Sequence, residues 1–135
     1  MIVLDASAAV ELLTGSVQGR MVAARIAPAD ESLHAPHLLS VEVAQVLARL
    51  VRTGAIEGQL AETGLRILAQ LDVVRYRHEI LLPRVWELRE NLTAYDGAYV
   101  ALAELLDAPL LTLDARLARS PGHTAAIELV GPTSP

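Results

Sequence analysis

Short, wholly apolar runs alternate along this chain with longer stretches whose apolar residues recur every three or four positions. Ile2–Leu4 is the first such run; it ends at Asp5 and is predicted to be a buried strand. A helix is predicted over residues 6–13, closing near Gly15, and a second over Val17–Ile26, stopped by Pro28. Residues 33–35 give a short strand before Pro36. The clearest helix is Leu38–Arg52, where Val41, Ala44, Leu47 and Val51 recur at helical spacing, with Ser40 as a cap and Gly54 as a close. Residues 57–70 continue as helix, 73–75 as strand, and 78–90 as helix with Pro83 placed near its first turn, where proline is tolerated. Ala94–Leu106 is helical, with Ala98, Leu102 and Leu105 on one face. A strand over 110–113, a short helix over 115–119 and a last strand over 127–130 complete the pattern.

Short apolar strands alternating with helices predict an α/β fold: three layers, α/β/α, around a short central parallel sheet covered on both faces. Residues 1–130 are expected to form one domain and 131–135 a frayed tail. In such sheets ligands sit at the carboxyl edge of the strands.

The 135 residues are one domain's worth, long enough to bury roughly 65–70% of the unfolded surface without a staple. With one tryptophan, three tyrosines and no phenylalanine, the core must be built from Leu, Val, Ile and Ala. The absence of cysteine excludes disulfides and thiolate metal sites. Asp5 and Glu11 interrupt the first apolar run, which fits neither a signal peptide nor a membrane span, so a soluble cytoplasmic protein is expected. All eleven basic residues are arginine, which removes every mechanism that needs a lysine. The net charge of −5 is the wrong sign for binding nucleic acid by charge alone. If nucleic acid is the partner, bound cations must bridge the two.

Four acids fall where such a site would lie. Asp5 and Asp114 end strands, and Glu42 and Asp96 are placed in the first turns of their helices. Each has a purely structural reading: Asp5 and Asp114 as helix caps, Thr93-Ala94-Tyr95-Asp96 as a capping box, and Glu42 as a partner of the helix dipole. If they converge, they cannot all ionise unaided, because like charges raise one another's pKa. A hard cation such as Mg²⁺ or Mn²⁺ would relieve them and serve phosphodiester chemistry by holding the phosphate, lowering the pKa of a water and stabilising the leaving oxygen.

The segments IVLDASA, LLSVEVAQVL, LTAYDGAYVALAE and LLTLDARLAR resemble the PIN-domain family, specifically its VapC-type toxin ribonucleases, from Ile2 to about Val130. The resemblance implies that Asp5, Glu42, Asp96 and Asp114 are catalytic metal ligands of an endoribonuclease dependent on Mg²⁺ or Mn²⁺. It also implies a homodimer held inactive by a small antitoxin. Two positions depart from the family pattern. Gly97 stands where many relatives carry alanine or cysteine, and Arg116 where some carry a further acid, so one cation is expected rather than two.

Ser7 and Thr112 flank the acids and are candidates to orient a carboxylate or water; Arg116 is a candidate for substrate phosphate. Tyr95 and Tyr99 are assigned to packing rather than base stacking, and Arg49 and Arg52 to solvent or a partner. His34, His37, His78 and His123 are read as structural or exposed, since His-x-x-His alone is a weak metal signal. Phosphotransfer receivers and dehalogenase-type phosphatases also place an acid after the first strand, but both need a lysine, and the latter an Asp-x-Asp where this chain has Asp5-Ala6-Ser7. No P-loop or GxGxxG occurs. A histidine-based ribonuclease would leave 2′,3′-cyclic phosphate ends. The remaining alternative is a catalytically silent PIN-like module that binds a partner protein.

Overall fold

β1 (Ile2–Leu4) lies at the centre of a five-stranded sheet, which is why all three of its residues are apolar and buried. The structure is a computed structural model and describes residues 1–131; of the expected frayed tail, residues 132–135 lie outside the described residues. The other strands are β2 (Leu33–Pro36), β3 (Val73–Tyr76), β4 (Leu110–Thr112) and β5 (Ile127–Leu129). Their order is β3-β2-β1-β4-β5, and every pairing is parallel. Val3 aligns with His34 on one side and Leu110 on the other. The three inner strands are buried throughout, whereas β3 and β5 at the edges are only partly covered. The chain winds outward from β1 through β2 and β3, then returns to β1's other side with β4. That reversal opens a crevice beyond the carboxyl ends of β1 and β4.

Helices flank the sheet. α1 (Ala6–Thr14), α2 (Val17–Ile26), α3 (Leu38–Arg52) and α4 (Gly58–Gln70) pack on one another. α5 (Leu82–Glu87) packs on α6 (Ala94–Leu106), which lies on β1, β2 and β4; α7 (Ala115–Ala118) follows β4. In α6 every residue from Gly97 to Ala103 is buried, and its small side chains allow the close seat. α1 and α2 meet at Gly19, where an added Cβ would fall 1.9 Å from the Glu11 carbonyl oxygen, a position only glycine can occupy.

Several expectations are corrected. The helix predicted over 78–90 is a 3-10 turn (His78–Ile80) followed by α5. Pro83 in the interior of a helix begun at His78 would lack an amide hydrogen and crowd the carbonyl four residues back; instead the helix restarts so that Pro83 lies in its opening positions. His37 precedes α3 as its N-cap residue but makes no side-chain cap bond, and Ser40 lies inside the helix. Its buried row is Leu39, Val43 and Leu47, while Val41 is 72% exposed. Apolar residues occur on more than one side of this helix, so periodicity alone admits two faces. Leu105 of α6 likewise turns to solvent, while Ala98 and Leu102 are buried.

Candidate active site

Asp5 follows directly on β1 and caps α1, so it is fixed at the centre of the carboxyl edge. Its Oδ1 accepts hydrogen bonds from the Ala8 amide (3.0 Å) and the Ser7 hydroxyl (2.7 Å), and its Oδ2 accepts one from the Thr112 hydroxyl (2.5 Å). Both hydroxyls spend their single proton on Asp5. Each then accepts a backbone amide from the end of β4: Leu113 N–H to Ser7 Oγ at 2.9 Å, and Asp114 N–H to Thr112 Oγ1 at 3.0 Å. Ser7 and Thr112 therefore tie β1, α1 and β4 together through one carboxylate. Burial pushes the Asp5 carboxyl above the usual carboxylate range, the three donors pull it back, and the negative charge of Asp96 adds to the push.

Asp96 is the third residue of α6. Thr93 caps that helix, its hydroxyl accepting from the Asp96 amide at 3.2 Å. This is half of the anticipated capping box; the Asp96 carboxylate makes no return bond to the Thr93 amide. Its pKa is raised by burial and by Asp114, against the opposing charge of Arg116. Asp114 caps α7, accepting from the amides of Arg116 (2.9 Å) and Leu117 (3.4 Å). The exposed Arg116 guanidinium approaches it at 3.7 Å. Asp96, Asp114, Thr93, Asn91, Arg116 and Ser120 line a cleft of about 180 Å³.

Glu42 lies in the second turn of α3 rather than the first, so the helix dipole does not explain its position. Its partner is Tyr99 of α6, whose hydroxyl donates to Oε1 at 2.6 Å. Tyr99 is only 2% exposed, and burying its ring requires that the hydroxyl find an acceptor. Burial raises the Glu42 pKa, and Asp96 and Asp5 raise it further. Asp5, Glu42 and Asp96 thus each feel the charge of another acid of the set at one edge of the sheet. Among the described residues, no three of the His, Asp and Glu side chains stand close enough together to hold a cation as they are. Closing the set around an ion would require side-chain movement. The donor chemistry is all oxygen with an excess of negative charge, which fits a hard divalent cation.

Two long-range contacts have no local signal of their pairing in the sequence. Tyr99 holds Glu42, and the sequence shows only a polar aromatic within the apolar stretch of α6 from Gly97 to Ala103. His78 supplies the missing cap of α3, its Nε2 accepting the Leu38 amide hydrogen at 3.0 Å. The buried His34 is structural, as expected, held by the Ser32 hydroxyl at 2.7 Å and the Tyr76 hydroxyl at 2.8 Å.

Comparison with known proteins adds an independent line. The PIN domain family matches residues 2–122. Ribonuclease VapC9 of Mycobacterium tuberculosis is 46% identical over 120 residues, covering 87% of this chain and 88% of that protein. Ribonuclease VapC12 of the same organism is 44% identical over 130 residues, covering 96% and 99%. The crystal structure of M. tuberculosis VapC20, described as a sarcin-ricin-loop-cleaving toxin, superposes with a TM-score of 0.66 over 87% of this chain and 93% of that one. At 14% identity that likeness concerns the fold alone. Strand order, the acids at the carboxyl edge and relatives matched along nearly their whole length agree: the chain belongs to the PIN-domain family and is related to its VapC ribonucleases.

Proposed function

We propose that the protein is an endoribonuclease that hydrolyses RNA phosphodiester bonds, dependent on Mg²⁺ or Mn²⁺, and the toxin of a toxin–antitoxin pair. The observation that carries this reading is that Asp5, Glu42 and Asp96 feel one another's charge and Asp114 shares a cleft with Asp96, in a chain so closely related to VapC ribonucleases. In this reading the four acids hold the cation. When bound, it supplies positive charge for the phosphate and a lowered pKa for water. Asp5, locked by Ser7, Thr112 and the Ala8 amide, gives the set a fixed point. Tyr99 holds Glu42 through its hydroxyl, and Asp96 supplies a half-buried carboxylate that feels the charge of Asp114. Arg116 lines the same cleft as Asp96 and Asp114 and is largely exposed, and in this reading its guanidinium meets a substrate phosphate.

The reading includes one nuclease domain over residues 1–130, a cytoplasmic protein, a homodimer, and a cognate antitoxin that covers the acids. No helix among the described residues is long and apolar enough to cross a membrane. Induced expression should arrest growth with the wild-type chain and not with Asp96→Asn, and co-expression of the antitoxin should restore growth. Equal arrest by both forms would refute catalysis as the cause. Arrest by neither would leave the partner-binding module as the better description.

A further inference from the structure

Beside the acids lies a second cleft that the proposed chemistry does not use. The first turn of α6 divides the two: Thr93 and Asp96 line the acid cleft, while Tyr95 and Ala98 line an apolar one of about 150 Å³. Its remaining walls include Leu38, His78, Leu82 and Val85. Tyr95 immediately precedes Asp96, and Leu38 lies one helical turn before Glu42, so the apolar cleft adjoins the acids along both helices.

Two rings bound it. Tyr95 is 63% exposed and its hydroxyl has no hydrogen-bond partner among the described residues, so it is not there to complete the core. His78 is held in place by the Leu38 amide, which can only donate. Its Nε2 must therefore accept, which puts the ring proton on Nδ1 and leaves that N–H without a partner among the described residues. Leu82, 53% exposed, adds apolar surface at the rim. The cleft is thus aromatic and aliphatic, with one polar edge, and it opens next to an anionic site on a chain of net charge −5.

We propose that this cleft takes one unstacked nucleobase of the RNA, next to the phosphodiester presented to the acids. The proposal rests on the ribonuclease reading. An acidic protein cannot hold RNA by phosphate contacts alone; stacking on a ring needs no net charge and tolerates any base with a π face. Single-stranded RNA is recognised in this way, by bases splayed onto aromatic side chains and hydrogen-bonded at their edges. Tyr95 supplies the stacking face, and the fixed His78 ring supplies a donor for an acceptor on the base.

The test uses an RNA oligonucleotide spanning a bond that the wild-type protein cleaves, with an abasic residue introduced at each position in turn. Wild type, Tyr95→Phe and Tyr95→Ala are compared under the same conditions. In wild type, one abasic position near the cleaved bond should raise KM by about fivefold to a hundredfold with kcat kept. Tyr95→Ala should raise KM on intact RNA by a similar factor, and the abasic substitution should then add little. Tyr95→Phe, which keeps the ring, should behave as wild type. A Tyr95→Ala protein with wild-type KM and the wild-type abasic profile would overturn the base pocket while leaving the ribonuclease reading standing. So would unchanged cleavage with weakened inhibition by a partner protein, which would make the cleft a protein-docking site. Failure of wild type to cleave any RNA would overturn the ribonuclease reading and this proposal with it.

Discussion

At the scale of single residues, the site turns on how Asp5 is held. A carboxylate taken out of water is costly unless its oxygens are satisfied, and here Ser7, Thr112 and the Ala8 amide satisfy both. Thr112 matters twice, because its hydroxyl donates to Asp5 and accepts the Asp114 amide while being wholly buried. Thr112→Val keeps the shape and removes both bonds. It should cost about 1–3 kcal/mol in denaturant unfolding and reduce cleavage, with Thr112→Ser recovering most of both. Loss of neither would mean that the hydroxyl is incidental. Asp5 and Asp114 were legible in the sequence because each closes an apolar run, and position on a strand end is a local property. Both also serve as caps, so the structural reading holds, and it is compatible with the proposed role as metal ligands. Tyr99 and His78 were not legible as positioning groups: their partners lie 57 and 40 residues away, and no local pattern encodes such pairs.

At the scale of elements, α6 carries the most. It delivers Asp96 and Tyr99 and runs buried across the sheet. Gly97 sits in that helix at a cost in propensity, yet a Cβ there would meet Val85 Cγ1 at 3.5 Å, an ordinary contact. Gly97→Ala should therefore stabilise the protein by about 1 kcal/mol, seen as a raised unfolding midpoint; a fall would show that the Val85 contact is tighter than it stands here. Farther along, Arg84 of α5 grips Glu104 of α6 at 2.7 and 3.0 Å, and Glu104 also accepts the amide and hydroxyl of Thr124. These bonds, Arg84 foremost, lower the Glu104 pKa from 4.5 to about 2. Because the unfolded chain binds the proton first, this contribution is full above about pH 4.5 and is lost as pH falls toward 2. The stability gap between wild type and Glu104→Gln should narrow over that window, and a constant gap would deny the ionic contribution. The order and kind of the elements were readable from periodicity. The split of 78–90 into a 3-10 turn and α5, and the buried face of α3, were not, because a misplaced proline and a multi-sided apolar helix leave local pattern with two solutions.

For the whole molecule, the decisive feature is an acidic protein with four of its sixteen acids at one edge of a doubly wound sheet. The raised pKa values of Asp5, Glu42 and Asp96 mark free energy spent in keeping that edge charged. A cation that binds there must stabilise the fold by mass action. Millimolar Mn²⁺ should raise the melting temperature of wild type and have much less effect on Asp96→Asn; an equal rise in both would place the ion elsewhere. The most direct test of the central claim is chemical. Purified protein, free of any partner, is incubated with total RNA in Mn²⁺ or Mg²⁺ and in EDTA, with Asp5→Asn alongside, and the product ends are mapped. The expected result is cleavage by wild type only when metal is present, leaving 5′-phosphate and 3′-hydroxyl ends, with none from the variant. Cleavage that survives EDTA, leaves 2′,3′-cyclic phosphates, or proceeds undiminished in Asp5→Asn would contradict it.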